Sequence, residues 1–178
     1  MIIEVEQGGS MSNIAAFMLG EKPDQLGRYI HEILAFDTFW LEHDHKYIQV
    51  LFPIDEGTKF NRHAPLVTDA DRTAFANDPA LRAAHLQALD KMLAFWGLAR
   101  EGETITPILP LAPATHVWLK PHDHNQLRLS RVIRSLALLG NPVIAAQLSA
   151  CLLAAADQTG SVSEKTRYHW QHALKVAV

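Results

Sequence analysis

Helix start and stop signals recur along almost the whole chain, and they constrain its fold more than any other feature. A helix start needs a side chain that accepts from free backbone N–H groups, and a helix stop needs a residue that cannot continue the spiral. Asp24 stands before an apolar run and predicts a helix over 24–36. Asp37 predicts the next, to about Leu51, stopped by Pro53. Thr68 or Asp69 opens a short helix through Phe75. Asp78-Pro79 is a cap followed by proline at the first helical position, with Gly97 as the terminator. Asp123 or His122 opens a helix that Gly140 ends, and Asn141-Pro142 opens another. Ser161-Val162-Ser163-Glu164 reads as a capping box for a last helix through Ala177. No strand-like alternation and no internal repeat stand out. The expected fold is therefore all-α, a compact single-domain helical bundle of about seven helices.

The apolar spacing agrees with those boundaries. Leu81, His85, Leu89, Met92, Leu93 and Trp96 line one face, and Leu129, Val132, Ile133, Leu136 and Leu139 line another. The helix after Pro142 is apolar nearly all round, which places it at the centre. Two stretches fall outside the pattern. Residues 55–66 form a polar loop with Gly57, Asn61 and Pro65. Residues 98–121 hold Pro107, Pro110, Pro113 and Pro121 with no sustained period, and read as a long loop that either wraps the core or carries function. Gly8-Gly9-Ser10 makes residues 1–11 a flexible extension, and 12–178 the helical domain.

With 178 residues and 48% hydrophobic content the chain can bury a core without disulfides. The formal charge of -3 gives no electrostatic reason to expect nucleic acid. Cys151 cannot pair within the chain and sits in an apolar run, as a reduced cytosolic thiol would. The first residues carry acids where a secretory leader needs bases. The longest apolar run, 143–156, falls short of the roughly 20 residues that cross a bilayer. A cytoplasmic protein without a transmembrane segment is the expectation. Its oligomeric state is not legible.

Two stretches mix core hydrophobes with polar side chains inside one apparent helix. In the helix that carries 45–53, Trp40, Tyr47 and Leu51 share a face, while His45 and Gln49 need hydrogen-bond partners wherever they are packed. In 124–140, His124, Arg128 and Arg131 fall at i, i+4 and i+7, with Arg134 beside them. A carboxylate or phosphate could be held by the first turn and the planar fork of Arg128. The arginines could instead pair with Glu42, Asp44 or Asp55 of the neighbouring helix and loop. Ten histidines, with His43-Asp44-His45 and His122-Asp123-His124, raise the question of metal. A helical His-x-His pair splays its side chains about 200° apart, so a site needs tertiary convergence of His45 and His124 with Asp44 or Asp123. No His-Glu-x-x-His, Cys-x-x-Cys, Gly-x-Ser-x-Gly or Gly-rich phosphate motif is present.

These same stretches resemble the signatures of the opioid growth factor receptor conserved-domain family. The first signature reads close to Leu-Glu-x-x-His-x-Tyr-Ile-Gln-Trp-Leu-Phe-Pro. Leu41, Glu42, His45, Tyr47, Ile48, Gln49, Leu51, Phe52 and Pro53 match it, and Val50 departs where tryptophan is usual. Asn61 with Ala64-Pro65-Leu66 is similar to the polar loop that follows, and 92–97 to a Met-Leu-x-Phe-Tyr-Gly stretch. The second reads near His-Asn-x-Leu-Arg-Ile-Thr-Arg-Ile-Leu-Lys-Ser-Leu. His124, Asn125, Leu127, Arg128, Arg131, Ser135 and Leu136 match, and Arg134 keeps the charge of lysine. The resemblance spans roughly 14–140.

The resemblance implies opioid growth factor receptor activity as a family label and peptide binding as the leading activity. It also implies a possible peripheral membrane association. The expected function is a peptide- or protein-binding module with no cofactor and no metal, and with a metal-dependent hydrolase or other histidine-based enzyme as the alternative. The expected ligand-binding residues are Glu42, Asp44, His45, Tyr47, Gln49, Asn61, His124, Asn125, Arg128 and Arg131. They are expected to border a groove that takes a peptide carboxylate at Arg128 or the helix start, and its amine at Glu42 or Asp44.

Overall fold

The structure, a computed structural model, describes residues 11–58 and 61–176. The flexible extension expected at 1–11 therefore lies, except for Met11, outside the described residues. Nine α-helices occur among them: α1 (Asn13–Met18), α2 (Ile30–Leu34), α3 (Thr38–His43), α4 (Tyr47–Leu51), α5 (Asp69–Asn77), α6 (Pro79–Phe95), α7 (His124–Leu138), α8 (Pro142–Thr159) and α9 (Glu164–His172). The chain is mostly helical but not all-α. Strands β1 (Leu98–Glu101) and β2 (Thr104–Pro107) form an antiparallel hairpin, with Leu98 opposite Pro107 and Glu101 opposite Thr104. The seven-helix, strand-free expectation is thus corrected in both its parts.

Each correction has a local cause. The hairpin turns on the two residues Gly102-Glu103, with Gly102 at φ 61°, the short glycine loop that suits a twisted strand pair. Leu98 and Ile105 point inward, too few apolar positions to register as an alternating pattern. Past β2 the chain folds back: the His116 ring sits 3.1 Å from the Gly97 carbonyl, and a 3₁₀ turn, Val117–Leu119, buries Trp118. Asp24 does not cap a helix. Its carboxylate accepts from the backbone N–H groups of Leu26 and Arg28 and pairs with the Arg28 side chain, so it closes a turn ahead of the short α2. In place of the capping box expected at Ser161, Ser163 alone caps α9 by accepting from the Thr166 N–H, and the helix ends at His172. Helix α1, capped by Ser12, was not expected from the sequence.

The expected helix over 37–51 is two helices. Asp37 caps α3 by accepting from the Trp40 N–H. Asp44 then turns extended, at φ -86° and ψ 120°, and its carboxylate accepts from the N–H groups of Lys46 and Tyr47 to start α4. Across the break Trp40 no longer shares a face with Tyr47 and Leu51: those two are buried while Trp40 is 53% exposed. Elsewhere the caps fall where expected. Thr68 and Asp71 form a capping box, Asp78 caps α6 ahead of Pro79, and Asp123 caps α7.

The core lies where α7 packs on α8 and α9, with α6 leading into the hairpin and α8 lying along β2. Leu129, Val132, Ile133 and Leu136 of α7 are fully buried, each contributing about 1.5–3 kcal/mol. Three tryptophans are buried with their indole N–H groups satisfied. Trp96 donates to Asn125 Oδ1 at 3.0 Å, Trp118 to the Trp96 carbonyl at 2.8 Å, and Trp170 to the Gln126 carbonyl at 3.0 Å. Two of these three bonds end on the first turn of α7. That turn is fixed by the core, and the site is built on it.

Candidate functional site

The break between α3 and α4 leaves the last carbonyls of α3 without helical partners, and Arg128 of α7 fills the gap. Its Nη1 donates to the Leu41 carbonyl at 2.7 Å and, at longer range, to Tyr47 Oη at 3.4 Å and Asn125 Oδ1 at 3.3 Å. Its Nη2 donates to the carbonyls of Glu42 at 3.1 Å and Asp44 at 3.2 Å, and approaches His45 Nδ1 at 3.0 Å. The guanidinium lies 5.6 Å from the Tyr47 ring centre. Tyr47 donates to the same Leu41 carbonyl, and burial, partly opposed by the Arg128 charge, pushes its phenol well above the ordinary tyrosine range. Arg128 thus clasps a frayed helix end, a use the planar five-donor fork allows and lysine does not.

Both signature helices meet as expected, but the charges pair differently. Glu42 lies 2.8 Å from His124 Nε2 and accepts from Asn125 Nδ2 at 3.3 Å. Asp44 takes Arg28 Nη1 at 2.7 Å. Arg134 takes Asp55 through two bonds, at 2.7 and 3.1 Å, with Glu56 at 3.4 Å. Burial works to raise the Asp55 carboxyl, but the bonds and charge of Arg134 outweigh it and hold it below its usual range. Asn61 bonds to Gln49, its Nδ2 donating to Oε1 at 2.6 Å. Seven of the ten expected residues therefore share one polar network around Arg128, several of them on the inside of it, while Gln49, Asn61 and Arg131 form a second group.

Arg131, like Arg128, meets carbonyls rather than a carboxylate. Its Nε donates to the Phe52 carbonyl at 2.8 Å and its Nη2 to the Gln49 carbonyl at 3.3 Å. Among the described residues it has no carboxylate partner, and burial brings its pKa down to about 10. It lines a cleft of about 540 Å³ between α4, α7 and α9. His45, Gln49, His124, Arg128 and Arg134 also line it, Ile48, Ile54 and Leu127 supply apolar wall, and His169 and His172 of α9 close the far side. Asn61 lines a separate cavity beside Asp24 and His63, while Tyr47 and Asn125 lie beneath the cleft. Sequence reasoning missed Arg28, Trp96 and the α9 histidines. The i, i+3 spacing of His169 and His172 was the one available sign of a shared face.

His45 bears directly on metal. A guanidinium only donates, so the imidazole nitrogen facing Arg128 must keep its lone pair. Burial, then the charges of Arg128 and His124, lower the His45 pKa, with Asp44 and Glu42 opposing. Binding a cation at its other nitrogen would require two N–H groups to face each other. Among the described residues no group of three histidine, cysteine or acidic side chains is placed to hold a metal ion. Nor, among them, is any helix long and apolar enough to cross a membrane.

The sequence model of the opioid growth factor receptor (OGFr) conserved region matches residues 9–174, so the likeness runs beyond the 14–140 that the motifs alone marked. The chain is 35% identical over 103 residues to the opioid growth factor receptor of Mus musculus, covering 56% of this chain and 16% of that one. It is 34% identical over 125 residues to opioid growth factor receptor-like protein 1 of Rattus norvegicus, covering 67% and 26%. To the opioid growth factor receptor of Homo sapiens it is 30% identical over 144 residues, covering 78% and 21%. The matched region is about a quarter or less of each relative's length. No solved structure matches the chain.

Proposed function

This chain belongs to the opioid growth factor receptor family, and from that premise we propose that it works as a peptide-binding module whose cleft between α4, α7 and α9 takes the free carboxylate of a peptide. The observation that carries the reading is Arg131: a cation lining a cleft of about 540 Å³ with no carboxylate partner among the described residues. A poorly solvated guanidinium without a counter-ion favours an anion, and its planar fork suits a carboxylate. Arg134, one turn on, is already neutralised by Asp55 and Glu56. Arg128 has both terminal nitrogens on carbonyls and shapes the cleft floor rather than offering a fork to the ligand. Ile48, Ile54 and the 66%-exposed Leu127 give apolar contact for a ligand side chain. The relatives are named as growth factor receptors, and that name supports a peptide or protein as the partner.

Isothermal titration of the protein with N-acetyl-Ala-Ala-Ala-Leu and with its C-terminal amide tests this. The free acid should bind at least ten-fold more tightly, the effect of a single charge-assisted hydrogen bond. Equal affinities, or no binding of either, would remove the carboxylate reading.

A further inference from the structure

The cleft is a trough with two unlike walls. Arg128 reaches from α7 to the carbonyls at the α3–α4 break, while Gln126 accepts from Thr166 Oγ1 and Trp170 Nε1 of α9, at 3.0 Å each. Positions two apart on a helix lie about 200° apart around it. Helices α4 and α9 therefore flank α7 on opposite sides, with the exposed Leu127 on the floor between them. Ile48 and Ile54 make one wall apolar, and His169 and His172 make the other basic. Helix α9 runs beside α7 in the same direction, from Thr166 at Gln126 to Lys175, whose carbonyl accepts from Arg134 Nη1 at 3.3 Å. His172 thus stands beside Arg131. His169 is one turn nearer to His124 and Leu127, with which it also lines a second cavity of about 750 Å³. The acids of the 42–56 region are already engaged: Glu42 stands 2.8 Å from His124, Asp44 pairs with Arg28, and Asp55 and Glu56 pair with Arg134. Arg128 and Arg131 meet no carboxylate among the described residues. The one carboxylate of a peptide terminus offsets one of these two charges and leaves the other.

From this arrangement we infer that the module selects a peptide with an acidic penultimate residue, whose side-chain carboxylate lies against His169 and His172 while the terminal carboxylate lies at Arg131. The inference rests on the peptide-binding reading and deepens it by naming the class of sequence recognised. The chain leaves Arg131 toward His124, where the second cavity gives it room. In an extended peptide consecutive side chains point to opposite sides, about 3.3 Å apart along the chain. The last side chain then faces Ile48 and Ile54, and the one before it faces α9. His169 and His172 are about 4.5 Å apart along α9 at 1.5 Å per residue, so the pair brackets that position. His172 Nδ1 lies 3.0 Å from the Tyr168 carbonyl, and a carbonyl only accepts, so Nδ1 carries a proton and Nε2 is left for the ligand. A carboxylate at Nε2 needs a second proton there, which makes the bond charge-assisted. The charged and titratable groups lining the cleft with the pair are His45, His124, Arg128, Arg131, Arg134 and Glu56. The guanidinium groups oppose that proton; Glu56 and the two ligand carboxylates favour it.

Calorimetric titrations at pH 6 with N-acetyl-Ala-Ala-Glu-Leu and N-acetyl-Ala-Ala-Gln-Leu test the inference. The glutamate peptide should bind about five-fold more tightly to the wild-type protein. In a double variant, His169→Gln with His172→Gln, the two peptides should bind alike. N-acetyl-Ala-Glu-Ala-Leu, whose acid would face the apolar wall, should gain nothing over N-acetyl-Ala-Ala-Ala-Leu, and an equal gain there overturns the register and with it the inference. Equal affinities of the glutamate and glutamine peptides for the wild type also overturn it, as does a preference that survives in the double variant. Either result leaves the terminal-carboxylate site standing if the free acid still outbinds its amide. Failure of every peptide to bind sinks both readings.

Discussion

Arg128 shows how a residue placed correctly on a site can hold the site rather than the ligand. Its hydrogen bonds to the carbonyls of Leu41, Glu42 and Asp44 are the tertiary substitute for helix bonds lost at the break. Arg128→Lys keeps the charge but cannot span three carbonyls, and buried carbonyls left unpaired cost about 1–3 kcal/mol each. The variant should lose roughly 2–4 kcal/mol, and its Tm should fall by about 5–15 °C in a thermal melt; a melt within two degrees of wild type would contradict the clasp. His85 makes a second prediction. It is fully buried between Phe52 and Phe75, with Ser135 Oγ 3.3 Å from Nε2, while Nδ1 lies near the Leu51 backbone without reaching hydrogen-bond geometry. Burial lowers its pKa from 6.5 to about 3, with the Leu51 backbone opposing in part. Below pH 6.5 the unfolded chain takes up a proton that the folded chain refuses, so stability is whole above that pH and declines beneath it. The loss is about 1.4 kcal/mol per pH unit down to pH 3. Urea denaturation between pH 7 and 4 should show this slope, and His85→Leu should flatten it; identical slopes in the two proteins would deny His85 the role.

Among the elements, the hairpin and the α3–α4 break carry the corrections to the sequence reading. Gly97 joins α6 to β1 at φ 75°, and a Cβ there would lie 2.8 Å from the His116 ring that anchors the returning chain. Gly102 also has positive φ but faces open space. Gly97→Ala should therefore cost clearly more than the roughly 1–3 kcal/mol of backbone strain that Gly102→Ala incurs alone. Equal losses in parallel denaturation curves would mean that the close approach of His116 is not needed. Caps and terminators at Asp37, Thr68, Asp78, Gly97, Asp123 and Gly140 were legible because each acts within one turn of its own helix. The break at Asp44 was not, because what stabilises it is Arg128, more than eighty residues away. The hairpin was not, because two four-residue strands with one inward apolar side chain each leave no readable period. In the same way the polar stretches announced that His45, Gln49, Asn125 and Arg128 touch something, but periodicity cannot distinguish a carbonyl acceptor from a ligand.

Across the whole molecule, three of the sixteen lysine and arginine side chains, Arg128, Arg131 and Arg134, stand with His124 on α7 and meet acids or carbonyls from the 41–56 region. Helix α9 packs on α7, the Thr166 hydroxyl donating to Gln126, and His169 and His172 line the cleft. Arg131, like Arg128, meets carbonyls and no carboxylate among the described residues, and the proposed function depends on its Nη1, which makes no hydrogen bond there. Calorimetric titration of Arg131→Gln with N-acetyl-Ala-Ala-Ala-Leu, beside the wild-type protein, tests this dependence most directly. The account predicts an affinity at least ten-fold weaker, because glutamine offers the carboxylate no charge-assisted hydrogen bond. Wild-type affinity in a folded Arg131→Gln protein would contradict it.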